Sequence, residues 1–284
     1  MKMSKFQIGA MVESFRTDLK SAIDKSAILG INGLQMHATK GEKLPENMTK
    51  EKRRELLDYV KSKGMCFSAI CGDFGKGFAN PELNDELIEK SKRVMEMAKD
   101  LETDIVTTHI GVVPVDKNHE KYKILQEACY KLSRFADSIG SHFAIETGTE
   151  DSETLKEFLD SLGSTGVGVN LDPANLVMVR GVDPVKAVYD LKKYIVHTHA
   201  KDGIMLLARN LEDEYKPGFV REPDSKFFKE VPLGTGNVDF PKYLKALEEI
   251  GYNGFLTIER EVGENPAADI ELAACFLRTK MEEM

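Results

Sequence analysis

Eight short apolar runs of strand length recur along this chain, and each is followed by a stretch whose apolar residues return at helical spacing. The runs fall at 6–12, 31–36, 65–71, 105–110, 142–146, 167–172, 194–202 and 254–259. They repeat roughly every 25–40 residues, the cadence of βα units. The intervening stretches predict helices over 19–29, 50–63, 84–100, 118–139, 152–162, 184–193, 240–250 and 268–281. Gly30 and Gly64 stand where the first two should stop, and Ser152 where the fifth should be capped. An open doubly wound sheet shares this cadence, but its first turn often carries a glycine-rich phosphate loop. Here the first strand runs into Glu13-Ser14-Phe15. Eight units in 284 residues fit one α/β domain, a single (β/α)8 TIM barrel spanning 1–284. The rhythm breaks once. Residues 203–232 are polar, carry Pro217, Gly218 and Pro223, and show no long periodicity. A connection of that length in a compact domain is usually functional or mobile. It is expected to be an insertion after strand seven that forms a lid or an oligomer contact.

The seventh run, Tyr194-Ile-Val-His-Thr-His-Ala-Lys-Asp202, alternates in period two, so Ile195, His197 and His199 share one strand face. Three other runs end in acids: Glu146, Asp172 and Glu259. These four residues sit at the ends of strands five to eight, neighbours around a barrel, at the C-terminal face where barrel enzymes carry their sites. A single acid after a strand often caps the next helix. Four in register on consecutive strands are harder to explain in that way. Three carboxylates and one imidazole make a hard, oxygen-rich set, so Glu146, Asp172, His199 and Glu259 are expected to hold one divalent metal ion. Mn²⁺ comes first, with Mg²⁺, Co²⁺ or Zn²⁺ as alternatives.

Longer motifs surround these residues: Thr108-His-Ile-Gly111, Ala144-Ile-Glu-Thr-Gly148, Asn170-Leu-Asp-Pro-Ala-Asn-Leu176, His197-Thr-His-Ala-Lys-Asp202, Leu233-Gly-Thr-Gly236 with Val238-Asp-Phe240, and Thr257-Ile-Glu-Arg-Glu261. In this order they resemble the sugar phosphate isomerase/epimerase family, with its xylose isomerase-like TIM barrel, over essentially the whole chain. The resemblance implies Glu146, Asp172, His199 and Glu259 as ligands of one divalent metal. In the ketose 3-epimerases of that group, the glutamates matching Glu146 and Glu259 also move the proton. The implied activity is a metal-dependent sugar isomerase or epimerase acting on a small ketose or related polyol-derived keto compound. A metal-stabilised enediolate would form between paired glutamates. Gln35, which stands where many relatives have Glu, is expected to contact substrate, as are His109, Asn175 and Lys201. His197 reads as a core or supporting residue, Lys201 and Asp202 as partners of each other, and Arg260 as paired with nearby acids. The 72–77 glycine-rich loop reads as a flexible rim, and 233–236 as a tight turn.

The same first step, proton abstraction beside a carbonyl, serves a lyase, so a keto-inositol dehydratase or a 3-oxo-glycoside-cleaving enzyme stands as the alternative. An apurinic endonuclease IV-like repair enzyme needs more histidines than the six present, and has Asn175 where one would be required. The formal net charge of −8 also opposes binding to a phosphate backbone. A non-catalytic sugar-binding barrel is the last alternative, and the intact carboxylate set argues against it. The expected partner is a small-molecule sugar, with no nucleic acid and no membrane, and the chain is expected to form a homo-oligomer. Cys66, Cys71, Cys129 and Cys275 include no CxxC pair and read as reduced, mostly core thiols. No run of 18 apolar residues and no leader-like N-terminus is present, which predicts a cytoplasmic protein.

Overall fold

A computed structural model describes residues 6–284. Residues 1–5, on which the expectation of a leaderless N-terminus partly rests, lie outside the described part. Eight parallel strands close into a barrel: β1 (Gln7–Met11), β2 (Gly33–His37), β3 (Cys66–Cys71), β4 (Ile105–Thr108), β5 (His142–Glu146), β6 (Val167–Leu171), β7 (Ile195–Ala200) and β10 (Phe255–Ile258). They follow one another around the wall in that order, and β10 returns to pair with β1 through Gln7 and Phe255. The outer ring consists of α1 (Leu19–Ile28), α2 (Lys50–Ser62), α3 (Pro81–Asp100), α4 (Glu120–Ile139), α5 (Ser152–Leu162), α7 (Pro184–Leu191), α8 (Phe240–Glu249) and α9 (Pro266–Glu282). A short helical turn, α6 (Pro173–Asn175), and a π-helical turn over Leu176–Arg180 follow β6.

Strand alternation divides the wall into two faces. Leu34, Met36, Val106, Ile145, Val169 and Leu256 join one large buried apolar cluster with Val94, Leu125, Leu132, Leu159 and Leu244 of the helices. The interior face is different. Gln35, Thr107, Asn170, His197 and Thr257 are all 0–1% exposed and are bonded across the barrel, as Gln35 on β2 is to Thr107 on β4. A small residue is required where this layer is tightest. A Cβ at Gly9 would lie 2.6 Å from Thr257 Oγ1.

Polar caps set the helix starts. Asp151, rather than Ser152, accepts from Thr154 N at the head of α5. Asn80 and Asn265 cap α3 and α9, each with proline in the first turn, so both helices begin earlier than apolar spacing alone indicates. Two of the four cysteines, Cys66 and Cys275, are exposed rather than core.

The segment after β7 is more ordered than its composition suggests. β8 (Asp202–Met205) pairs antiparallel with β9 (Phe228–Val231), and short 3₁₀ turns occupy Leu211–Tyr215 and Asp224–Lys226. Its tip reaches the loop after β4, three strands away around the wall. There Tyr215 Oη donates to Val112 O at 2.5 Å, Val115 N donates to Glu212 Oε1 at 3.2 Å, and the Tyr215 and His119 rings lie 5.8 Å apart. The segment therefore forms a strap from the end of β7 to the loop after β4. Among the described residues, no helix is long and apolar enough to cross a membrane.

Candidate metal centre

The strand ends deliver four donors to one point. Glu146 is the last residue of β5, His199 lies within β7, and Glu259 follows β10 directly. Asp172 follows β6 and caps α6, with Oδ1 accepting from Asn175 N at 2.9 Å, which leaves Oδ2 for the barrel axis. One ligand atom from each of Glu146, Asp172, His199 and Glu259 lies within 4.8 Å of the others. His199 Nδ1 is 3.3 Å from Glu259 Oε2, 3.4 Å from Asp172 Oδ2 and 3.6 Å from Glu146 Oε1. None of the four is more than 9% exposed.

Three carboxylates this close and this dry repel one another and lose hydration, so the arrangement calls for positive charge at its centre. The surrounding side chains show that demand. Burial opposes a charge on His199, but Glu259 and Glu146 outweigh it and hold the imidazole pKa well above its ordinary value. Burial would raise the Glu259 carboxyl, yet Lys201 and His199 pull it well below its usual range. Glu146 is lowered too, because His109 and His199 outweigh its burial. Both glutamates are anions at neutral pH. The donor set fits a divalent cation with a preference for oxygen, which would take the place of the proton on His199.

The expected substrate contacts separate into two groups. His109 stands at the mouth beyond β4, 42% exposed, with Nε2 3.6 Å from Glu146 Oε1. Its pKa is raised: burial works against the charge, but Glu146 and Asp73 on either side outweigh it. Asn175 Nδ2 donates to Glu146 Oε1 at 3.0 Å and so borders the site directly. Gln35 and Lys201 are each held by protein partners. Gln35 is entirely buried, with both ends of its amide engaged by His199 and Thr107. Lys201 is only 5% exposed, and its Nζ donates to Glu259 Oε2 at 2.9 Å and to Glu261. Nor does Lys201 pair with Asp202. That carboxylate accepts four backbone N–H groups, from Gly203, Gly234, Gly236 and Val238, which locks the 233–236 turn against β8.

Three contributors escaped the sequence reading. Asp73 in the 72–77 loop holds His109 Nδ1 at 2.9 Å, so the loop supplies an anchored acid. Its signal was its place two residues beyond the end of β3, by the rule that singled out the other strand-end acids. Asn170 lies two residues before Asp172 and therefore on the same face; its Nδ2 donates to Glu146 Oε2 at 3.2 Å. Glu230 of β9 accepts from Arg260 Nη1 at 2.5 Å and lies 4.0 Å from Lys201, joining strap and barrel in one buried charge network. Arg260 thus pairs with acids as expected, Asp269 being the second at 2.8 Å. His197 is buried and its pKa is pushed well below the ordinary value by burial and by His199, so it is neutral.

Residues 23–280 match the family described as xylose isomerase-like TIM barrel. The chain is 30% identical over 163 residues to the inosose dehydratase of Clostridium botulinum, covering 55% of this chain and 52% of that protein. It is 23% identical over 261 residues to a putative L-ribulose-5-phosphate 3-epimerase of Haemophilus influenzae, covering 84% of this chain and 82% of that one. Matches to the first curated relatives span 44–61% of their lengths. Among solved structures, a xylose isomerase domain protein from Planctomyces limnophilus superposes with a TM-score of 0.80 at 23% identity, over 100% of this chain and 99% of that chain.

Proposed function

This chain belongs to the xylose isomerase-like TIM barrel family, and on that premise we propose that it is a divalent-metal-dependent sugar isomerase or epimerase acting on a small ketose or related polyol-derived keto compound. The observation that carries this reading is the convergence of Glu146, Asp172, His199 and Glu259 at one buried point. A divalent cation bound there supplies Lewis-acid polarisation of a substrate carbonyl and its neighbouring hydroxyl. The two glutamates supply the proton chemistry. Glu146 and Glu259 stand on strands separated by β6 and β7, so they approach from different sides, and both are ionised. One carboxylate removes a proton from the carbon beside the carbonyl; the other, after taking a proton from solvent, delivers it to the opposite face, and the first then releases its proton to solvent. Asn170 and Asn175 hold the two oxygens of Glu146, and Lys201 holds Glu259. In this reading the strap limits water access, which strengthens these interactions.

A second reading, a lyase that expels water from a keto-inositol, is favoured by one feature. The His109–Asp73 pair stands beside Glu146 and offers a third proton-bearing group for a departing hydroxyl. Epimerisation by two carboxylates does not need it. Similarity to an inosose dehydratase and to a putative 3-epimerase supports each reading in turn.

The deciding experiment incubates the Mn²⁺-loaded chain in D₂O with ketopentoses, ketohexoses and keto-inositol, followed by NMR. Deuterium at the carbon beside the carbonyl and a new stereoisomer are expected. Both should fall about 10²–10⁴-fold in Glu146→Gln and in Glu259→Gln. A conjugated enone formed with loss of water would select the lyase. No exchange with any of these ketones would overturn both.

A further inference from the structure

Behind the four converging donors, Gln35 faces His199 from across the barrel, and its position explains which imidazole nitrogen is turned to the centre. We propose that Gln35 is a positioning residue that commits His199 to offering Nδ1, and not Nε2, to the divalent cation. This rests on the metal reading above and adds to it a residue outside the donor set.

The geometry carries the argument. His199 Nδ1 faces the three carboxylates at 3.3–3.6 Å, while Nε2 faces Gln35 Oε1 at 3.0 Å. A neutral imidazole has one N–H and one lone pair, and the nitrogen that donates a hydrogen bond cannot bind metal. A carbonyl oxygen accepts only. Its place at Nε2 therefore keeps the proton there and leaves the Nδ1 lone pair for the cation. The other end of the amide donates to Thr107 Oγ1 at 3.0 Å, and with no exposed surface Gln35 has no room to turn away.

One neighbour competes. Asn170 Nδ2 is 3.2 Å from His199 Nε2, and as a donor it would favour the opposite tautomer. One of its two hydrogens goes to the carboxylate oxygen Glu146 Oε2 at the same distance, and Nε2 itself lies closer to Gln35 Oε1, at 3.0 Å. His197 also fixes how Asn170 sits. Its Nδ1–H donates to Asn170 Oδ1 at 2.8 Å, while its Nε2 accepts from Thr257 Oγ1 at 2.9 Å. Asn170 thus serves Glu146, and Gln35 serves His199. An amide at this position orients the ring without placing a fourth negative charge beside three carboxylates.

The test uses the full-length chain stripped with chelator and titrated with Zn²⁺, a diamagnetic probe, against a chromophoric competitor. Gln35→Met removes the acceptor at similar volume and should weaken Zn²⁺ binding about 10–100-fold, the usual effect of losing such a supporting partner. Gln35→Glu keeps an acceptor and should bind at least as tightly as wild type. Circular dichroism establishes that both variants are folded. If Gln35→Met does not fold, ¹⁵N-histidine NMR of the Zn²⁺-loaded wild type decides: a metal-bound Nδ1 with a protonated Nε2 at His199 is expected. Wild-type affinity in folded Gln35→Met, or an Nε2-bound signature, would overturn the role of Gln35 while leaving the metal reading intact. A wild-type chain that takes up no Zn²⁺ would instead remove the metal reading, and this inference with it.

Discussion

Glu150 lies four residues beyond Glu146, is 4% exposed, and has an Oε1 without a hydrogen-bond partner. Burial pushes its carboxyl up to about 7 from 4.5, against the lowering effect of Thr149, the Val113 backbone, His109 and Arg180. An acid whose pKa is higher in the folded than in the unfolded chain binds its proton more tightly when folded. Stability is therefore lost as pH rises from the unfolded value through about 7, and the penalty is complete above that. Glu150→Gln is expected to stabilise the chain at pH 8 by roughly 1–3 kcal/mol and to change little at pH 4. Thermal melts at both values check this, and a difference independent of pH would contradict it. At this scale the sequence was legible where chemistry and strand position coincide: Glu146, Asp172 and Glu259 each close an apolar run, His199 stands near the end of another, and the four do meet. It was illegible where a role depends on what lies across the barrel. Gln35 and Lys201 occupy plausible strand positions for substrate contacts, but their partners come from strands far away in sequence, His199 for one and Glu259 for the other.

Among the elements, the strap depends on a few polar ties to the loop after β4, of which the Tyr215 hydroxyl is one. Tyr215→Phe is expected to release that tie, at about 0.5–1.5 kcal/mol, and to raise KM some 2- to 10-fold with a smaller change in kcat. Steady-state kinetics on whichever ketone turns over would show it, and an unchanged KM would argue that the strap does not close over substrate. The turn after β5 is constrained differently. Gly148 has φ of +132°, and a Cβ there would lie 2.4 Å from that of Asn175. Gly148→Ala should therefore displace Asn175 from Glu146 and lower stability by about 1–3 kcal/mol, measurable by urea unfolding. The hairpin β8–β9 went unread because its strands are only four residues each and are separated by a polar stretch. Its two buried acids, Asp202 and Glu230, are held by Val238 N and Arg260, partners no local pattern reveals.

For the whole molecule, the cadence of eight runs and eight helices was enough to indicate a closed barrel, because apolar periodicity depends on which face meets the helix layer. What the cadence could not convey is that the interior is polar. Gln35, Thr107, Asn170, His197 and Thr257 form a bonded floor under the donors where many barrels stack branched apolar side chains. That floor makes the centre rigid, and a rigid, buried cluster of three carboxylates is expected to bind its cation tightly. Elemental analysis of the chain purified without chelator tests this most directly. About one divalent metal per chain is expected, absent from His199→Ala and from Glu146→Gln. A chain that remains metal-free after Mn²⁺ is added back, or one that carries its metal undiminished in both variants, would contradict it.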